Sequence, residues 1–222
     1  MSDAPDSFRF FQVNSIDAQR AFEFHKSIAD SDDHIWPRTE SEIRGFAEEG
    51  ELFAIVLEHS CEFVGLCYSH LDDKTNAWEI GGLTVTANFQ NLYLGSFLVR
   101  FALAHTISTG DPWKYGQRII AHVHTDNQAP RNLLKRINFV FRRPVEVPAD
   151  VADAVPSMKR NADGKITGDE FEFKKASVRA LHRWFVNEFN GYLGDGKSVA
   201  KFDYGELGID SVVVDLRTLA EE

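Results

Sequence analysis

A chain of 222 residues with 43% hydrophobic and 26% charged residues suits one domain, or a domain with a sizeable extension, and excludes a disordered segment. Its formal net charge of −10 argues against general nucleic-acid binding, which needs clustered Lys and Arg; it suits a cationic substrate such as an amine, and solubility explains it equally well. No apolar run approaches the roughly 20 residues that span a bilayer, no basic segment precedes an apolar one at the N-terminus, and the two cysteines, Cys61 and Cys67, read as buried thiols rather than a disulfide, so no membrane association and a cytoplasmic location are expected.

Residues 8–13 read as a first strand. Asn14 or Ser15 can cap a helix running to about Ile28, with Ala18, Ala21, Phe22 and His25 at helical spacings. Residues 29–37 form a loop, and Thr39-Glu40-Ser41-Glu42 is a capping box that opens a second helix ending near Gly50. Residues 52–57 and 62–70 alternate as two antiparallel strands joined at His59-Ser60. After a turn at 72–76 comes a strand over 78–86, a turn at 87–90, and an amphipathic helix from about Leu92 to Ile107. Residues 118–124 are a strand, and Pro130 suits the first turn of the next helix. Asn138 can take the left-handed cap that closes it, and a strand follows from 139 to 143. In the tail, an Asp163-Gly164 turn leads into a strand at 170–174. A helix spans 177–190, and a terminal hairpin pairs 199–204 with 211–216 across 205–210. The loop from Lys159 to Glu170 superficially has calcium-loop spacing, but a cation stands where the first carboxylate is required.

Three features point toward chemistry. Gly81-Gly82 inside a strand marks either a bulge and a place of close approach, or merely eased packing. A strand that turns sharply into a helix aims unpaired backbone N–H groups at one point, which makes an anion site, and Gly95 lets a ligand approach that backbone. His122 and His124 share one strand face; without an evident third ligand they read as packed or surface histidines rather than a metal pair.

Gln90-Asn91-Leu92-Tyr93-Leu94-Gly95 resembles the (Arg/Gln)-x-x-Gly-x-(Gly/Ala) signature of the GNAT superfamily of N-acetyltransferases. The preceding Glu79-Ile80-Gly81-Gly82-Leu83-Thr84-Val85 is similar to that family's fourth strand, and Asn127 through Phe139 to its second half. The resemblance implies an α/β fold, with a mixed central β-sheet whose fourth and fifth strands are splayed, flanked by helices. Residues 1–150 would be the core, and 151–222 a C-terminal extension of the same domain completing the sheet through a hairpin strand, a helix and the terminal hairpin.

It further implies acetyl-CoA as co-substrate and a primary amine of a small molecule or peptide as acceptor, acylated by direct attack. Leu83, Thr84 and Val85 would line the thioester arm. The backbone of Asn91, Leu92, Tyr93, Leu94, Gly95 and Ser96 would hold the pyrophosphate, with the Gln90 side chain as an extra donor. Asn127 would bond the arm, or serve as an ordinary turn asparagine. Glu79 would be the base with a raised pKa, or else a solvated strand-end charge. Asp30, Asp32 and Asp33 would border the acceptor, or form a solvated turn. Tyr93 stands where the family has Gly, and Leu134 where it has an acidic Tyr; Tyr93, solvent or no acid then remain for that role. A rival reading keeps the fold as a catalytically inactive binding or regulatory module. Trp184 and Phe185 suggest either a homodimer face or a packed tail helix.

Overall fold

The structure, a computed structural model, describes residues 7–189, 192–193, 198–202 and 209–221. Its strands are β1 (Phe8–Gln12), β2 (Leu52–Leu57), β3 (Phe63–Asp72), β4 (Ala77–Val85), β5 (Arg118–His124), β6 (Phe139–Glu146), β7 (Thr167–Phe173), β8 (Tyr192–Leu193) and β9 (Ser198–Phe202). Among the described residues they make one mixed sheet in the order β6-β7-β5-β4-β3-β2-β1-β9-β8. The β4–β5 and β1–β9 pairs are parallel and the others antiparallel. Helices α1 (Ala18–Ala29) and α2 (Glu40–Glu48) lie on one face of the sheet, while α3 (Leu94–Gly110) packs on the other. The remaining helices are α4 (Gln128–Arg136), α5 (Ala149–Asp153), α6 (Val178–Arg183) and α7 (Ile209–Glu221). Among the described residues no helix is long and apolar enough to cross a membrane.

Local chemistry sets most boundaries. The Thr39 hydroxyl accepts from the Glu42 amide at 3.2 Å and the Glu42 carboxylate accepts from the Thr39 amide at 2.8 Å, the reciprocal pair a capping box requires. Asn138 takes φ +70° and closes α4 in place of a glycine. α1 starts at Ala18 because the Asn14 side chain first accepts from the Ile16 amide, forming a turn. In the 161–165 turn, Asn161 accepts from the Asp163 and Lys165 amides, which leaves a hairpin bend.

The C-terminal region departs from expectation in three ways. α3 is buried on more than one stripe, because Trp184 and Phe185 pack edge-to-face on Phe97 and Phe101 across its outer face, with ring centroids 5.2 Å apart. The expected helix at 177–190 is α6 followed by a π-helical turn, Trp184–Glu188, which gathers those rings into one cluster. They are buried within their own chain, so of the two readings of Trp184 and Phe185 the packed tail helix holds and a homodimer face built on them does not. The terminal hairpin is also corrected: 211–216 lies in α7, where Leu216 is buried in the core and Val213, Leu219 and Ala220 pack against it. Their helical spacing outweighs the β-branched run Val212-Val213-Val214. The other half forms β9, which pairs with β1, and residues 205–208 of the expected turn lie outside the described residues. Of the two thiols, Cys67 is buried, but Cys61 is exposed in a tight turn.

Candidate active site

β4 and β5 pair at Ala77↔Arg118, Trp78↔Ile119 and Glu79↔Ile120 and, among the described residues, no farther. From Ile80 and Ala121 onward the two strands part. The cause is a bulge in β4. Leu66 faces Thr84 and Tyr68 faces Gly81, so Gly82 and Leu83 together oppose Cys67. Gly82 has φ +60°, and an added Cβ there would lie 2.7 Å from the Tyr68 ring; one at Gly81 would overlap the Tyr68 hydroxyl. Both glycines are thus required, one by conformation and both by the ring laid over them. Past the fork, the facing edges of β4 and β5 carry backbone donors and acceptors without a ladder partner on that side.

The fork opens into a cavity of about 590 Å³. Gly81, Gly82 and Leu83 form one wall, and Ala121, Val123, Asn127 and Leu134 the other. Trp36 and Arg38 from the α1–α2 loop, with the 147–166 segment between β6 and β7, close the far side. Buried His25 of α1 donates from Nε2 to the Trp36 carbonyl at 3.1 Å, holding that loop in place, and burial lowers its pKa.

A row of charged groups crosses the sheet at the mouth of the fork. Glu79 Oε1 lies 3.3 Å from His122 Nδ1 and Glu79 Oε2 lies 3.8 Å from the Arg38 guanidinium. Arg38 also binds Glu42 and the Tyr68 hydroxyl and lies over the Tyr68 ring. On the far side of His122, at 3.6 Å, is the buried Glu170, which is gripped by Arg118, Arg142 and Arg143 at 3.1–3.2 Å. Burial pushes the Glu79 carboxyl up, but the His122 hydrogen bond and the nearby positive charges outweigh it and hold the group below the usual carboxylate range. The raised value expected from sequence is therefore reversed. Burial lowers His122, yet the Glu79 and Glu170 carboxylates more than reverse that and raise its pKa.

The other anticipated residues divide by position. Leu83 lines the fork, while the Thr84 hydroxyl is buried with no hydrogen-bond partner among the described residues. Asn127 lines the fork and caps α4 without a side-chain capping bond. Gln90 donates to the Val85 carbonyl at 3.2 Å. Asn91 and Leu92 lie in a 3-10 turn, and Leu92 and Leu94 pack into the core. Tyr93 holds φ +61°, the left-handed conformation that Gly takes freely, and 54% of it is exposed outside the cavity. Its ring is not part of the fork's lining. Its carbonyl accepts from the Ser96 and Phe97 amides, so the earlier amides of α3, including that of Gly95, sit at the helix N-terminus. The Ser96 hydroxyl accepts from Arg100. Leu134 lines the fork with an apolar side chain.

Asp30, Asp32 and Asp33 are not in the fork. They border a separate depression beside Val85 and Gln90. Asp30 pairs with Lys26, and His34 Nδ1 lies 3.1 Å from both Asp32 and Asp33. His122 and His124 do share a face but diverge in partners, His124 bonding the Lys159 carbonyl at 3.0 Å. Arg38, Tyr68 and Glu170 were missed from sequence. The only trace was indirect: a Gly-Gly pair within a strand asks what large group lies above it.

A family model described as the acetyltransferase (GNAT) family matches residues 17–139. No curated protein matches the chain. Among solved structures, an acetyltransferase of the GNAT family from Streptococcus pneumoniae is similar at 15% identity and TM-score 0.57, over 75% of this chain and 98% of that one. Arabidopsis thaliana NAA60 in complex with acetyl-CoA is similar at 15% identity and TM-score 0.53, over 75% and 98%. The ribosomal-protein-S18-alanine N-acetyltransferase from Escherichia coli is similar at 12% and 0.54, over 75% and 92%. At these identities the likeness is one of fold.

Proposed function

Because the chain belongs to the acetyltransferase (GNAT) family, we propose that it transfers an acetyl group from acetyl-CoA to a primary amine by direct attack. The observation that carries this reading is the fork. Its two facing edges offer unpaired backbone groups to the amide-bearing arm of a thioester, as a strand edge does to an extended peptide. The bound acetyl-CoA of NAA60 supports the same choice of co-substrate. Leu83, Thr84 and Val85 would follow the arm, and Asn127 would bond it. Gln90 and the first amides of α3, those of Leu94 and Gly95, would meet the diphosphate at the helix N-terminus.

Glu79 and His122 act together as the base. A carboxylate held below its usual range accepts a proton poorly on its own, but His122 lies 3.3 Å behind it with a raised pKa. The amine proton passes to Glu79, then to His122, and from there to solvent, because the imidazole is 38% exposed. The neutral amine nitrogen then attacks the acetyl carbonyl carbon, the C–N bond forms, the C–S bond breaks, and the nitrogen gives its surplus proton to solvent to become the amide. The thiolate leaves and takes its proton from solvent, since Leu134 has none to give. Purified protein should release thiol from acetyl-CoA in the presence of an amine. Glu79→Gln should lower kcat while leaving acetyl-CoA affinity nearly unchanged; equal turnover would remove Glu79 from the mechanism.

A further inference from the structure

Resting on the acetyl-transfer reading, we infer that the acceptor is a small monoamine borne on an apolar body, aliphatic or aromatic, rather than a polyamine or a peptide. Three observations lead there.

The first is the roof. Between β6 and β7, Ala152, Val155, Met158 and Ile166 pack with Trp36 and Val147 into a small core of their own. Lys159 ties that segment down. Its amide donates to the Asp33 carbonyl at 2.8 Å, its carbonyl accepts from His124 at 3.0 Å, and its ammonium pairs with Asp126 at 3.0 Å. The surface this roof turns toward the cavity is apolar: Trp36, Val147, Val151, Met158 and Ile166.

The second is charge. Among the described residues three carboxylates line the cavity, and two of them already face cations. Glu79 faces His122 and Arg38, Glu146 pairs with Lys165 at 2.9 Å, and Asp72 accepts from the Thr75 hydroxyl at 2.8 Å and the Lys74 amide at 3.0 Å. One ammonium, losing its proton to Glu79, is accommodated. A second held under the roof would be desolvated against methyl groups and an aromatic ring, or set beside the Arg38 guanidinium, and of the lining carboxylates only Asp72, whose hydrogen-bond donors are neutral, carries a charge without a cation on it.

The third is room. About 590 Å³ must take both the reacting end of the thioester and the acceptor, under a roof pinned at both the α1–α2 loop and β5. That volume suits a compact molecule better than an extended peptide.

The test is an acceptor panel on the full-length wild-type chain, read by thiol release at saturating acetyl-CoA. It comprises straight-chain amines from propylamine to hexylamine, phenethylamine, spermidine, and a peptide with a free N-terminus and one lysine. The inference expects kcat/KM to rise about fourfold for each added methylene, the transfer value of a buried CH₂, and phenethylamine to exceed spermidine and the peptide by about thirtyfold or more. A flat alkyl series, or spermidine or the peptide as best acceptor, would overturn it. Val151→Glu supplies a second readout, since Val151 lies at the exposed edge of the roof. Phenethylamine turnover should fall about tenfold and spermidine should gain, with acetyl-CoA affinity unchanged; no change in the ratio would count against the inference. If acetyl-CoA neither raises the melting temperature nor releases thiol with any amine, the transfer reading itself fails. If it binds and a polycation or peptide is preferred, only the acceptor assignment fails.

Discussion

Glu79 and His122 face each other across the fork, 3.3 Å apart, at the point where β4 and β5 cease to pair. Glu79 sits on the last paired rung and His122 two residues beyond its partner Ile120, so the proposed base and the proposed slot for the thioester arise from one distortion of the sheet.

The pair's titration sets a pH dependence. Glu79 is ionised and His122 becomes an acceptor only once it loses its proton, above its ordinary value of 6.5. The ratio of wild-type to His122→Gln kcat should therefore rise with pH and level off above 6.5, reaching about a hundredfold. Removing the carboxylate in Glu79→Gln removes the chief cause that raises His122, so an imidazole titration followed by NMR should shift to lower pH. An unmoved His122 titration would contradict the coupling.

Tyr93→Gly should stabilise the protein. A tyrosine at φ +61° carries a left-handed penalty that glycine avoids, partly offset by glycine's greater unfolded-state entropy. The net gain of about 1 kcal/mol corresponds to roughly 2–4 °C in Tm. Since the ring lies outside the cavity, acetyl-CoA affinity should not fall.

Gly81→Ala should cost about 1–3 kcal/mol through overlap with the Tyr68 hydroxyl. In a Tyr68→Ala background the same change should cost much less. Gly82→Ala should stay costly in both backgrounds, because its positive φ survives removal of the ring. Denaturant unfolding of the double-mutant cycles measures the difference.

Glu170→Gln should destabilise the fold by about 3 kcal/mol, since it leaves Arg118, Arg142 and Arg143 around an uncharged buried group. Burial pushes the Glu170 carboxyl up, but the arginines more than reverse it and its folded-state pKa is depressed. Its contribution is thus fully present above the unfolded value of about 4.3 and is lost as pH falls through the depressed folded value. Acid unfolding of the variant should show a weaker pH dependence in that window than the wild type.

Much of this was legible in the chain. The capping box at Thr39, the Asn138 cap, the order of strands to Phe139, and the Gly81-Gly82 bulge all follow from local rules. What stayed hidden depends on register and on packing between distant segments. Tyr68 reaches the site only because β3 pairs two glycines beneath it, and Arg38 only because His25 holds its loop. The roof residues Val147, Val151, Met158 and Ile166 share no period that a sequence pattern would reveal. The direction of the Glu79 shift also escaped, because burial alone points upward and the opposing charges come from a loop and a neighbouring strand. In the tail, Val212-Val213-Val214 reads locally as a strand, and only burial of Leu216 in the core selects the helix.

The most direct test is calorimetric titration of acetyl-CoA into the full-length protein. The account predicts saturable one-to-one binding that free CoA competes away. No heat of binding up to millimolar acetyl-CoA would contradict the proposal that the fork between β4 and β5 receives a thioester.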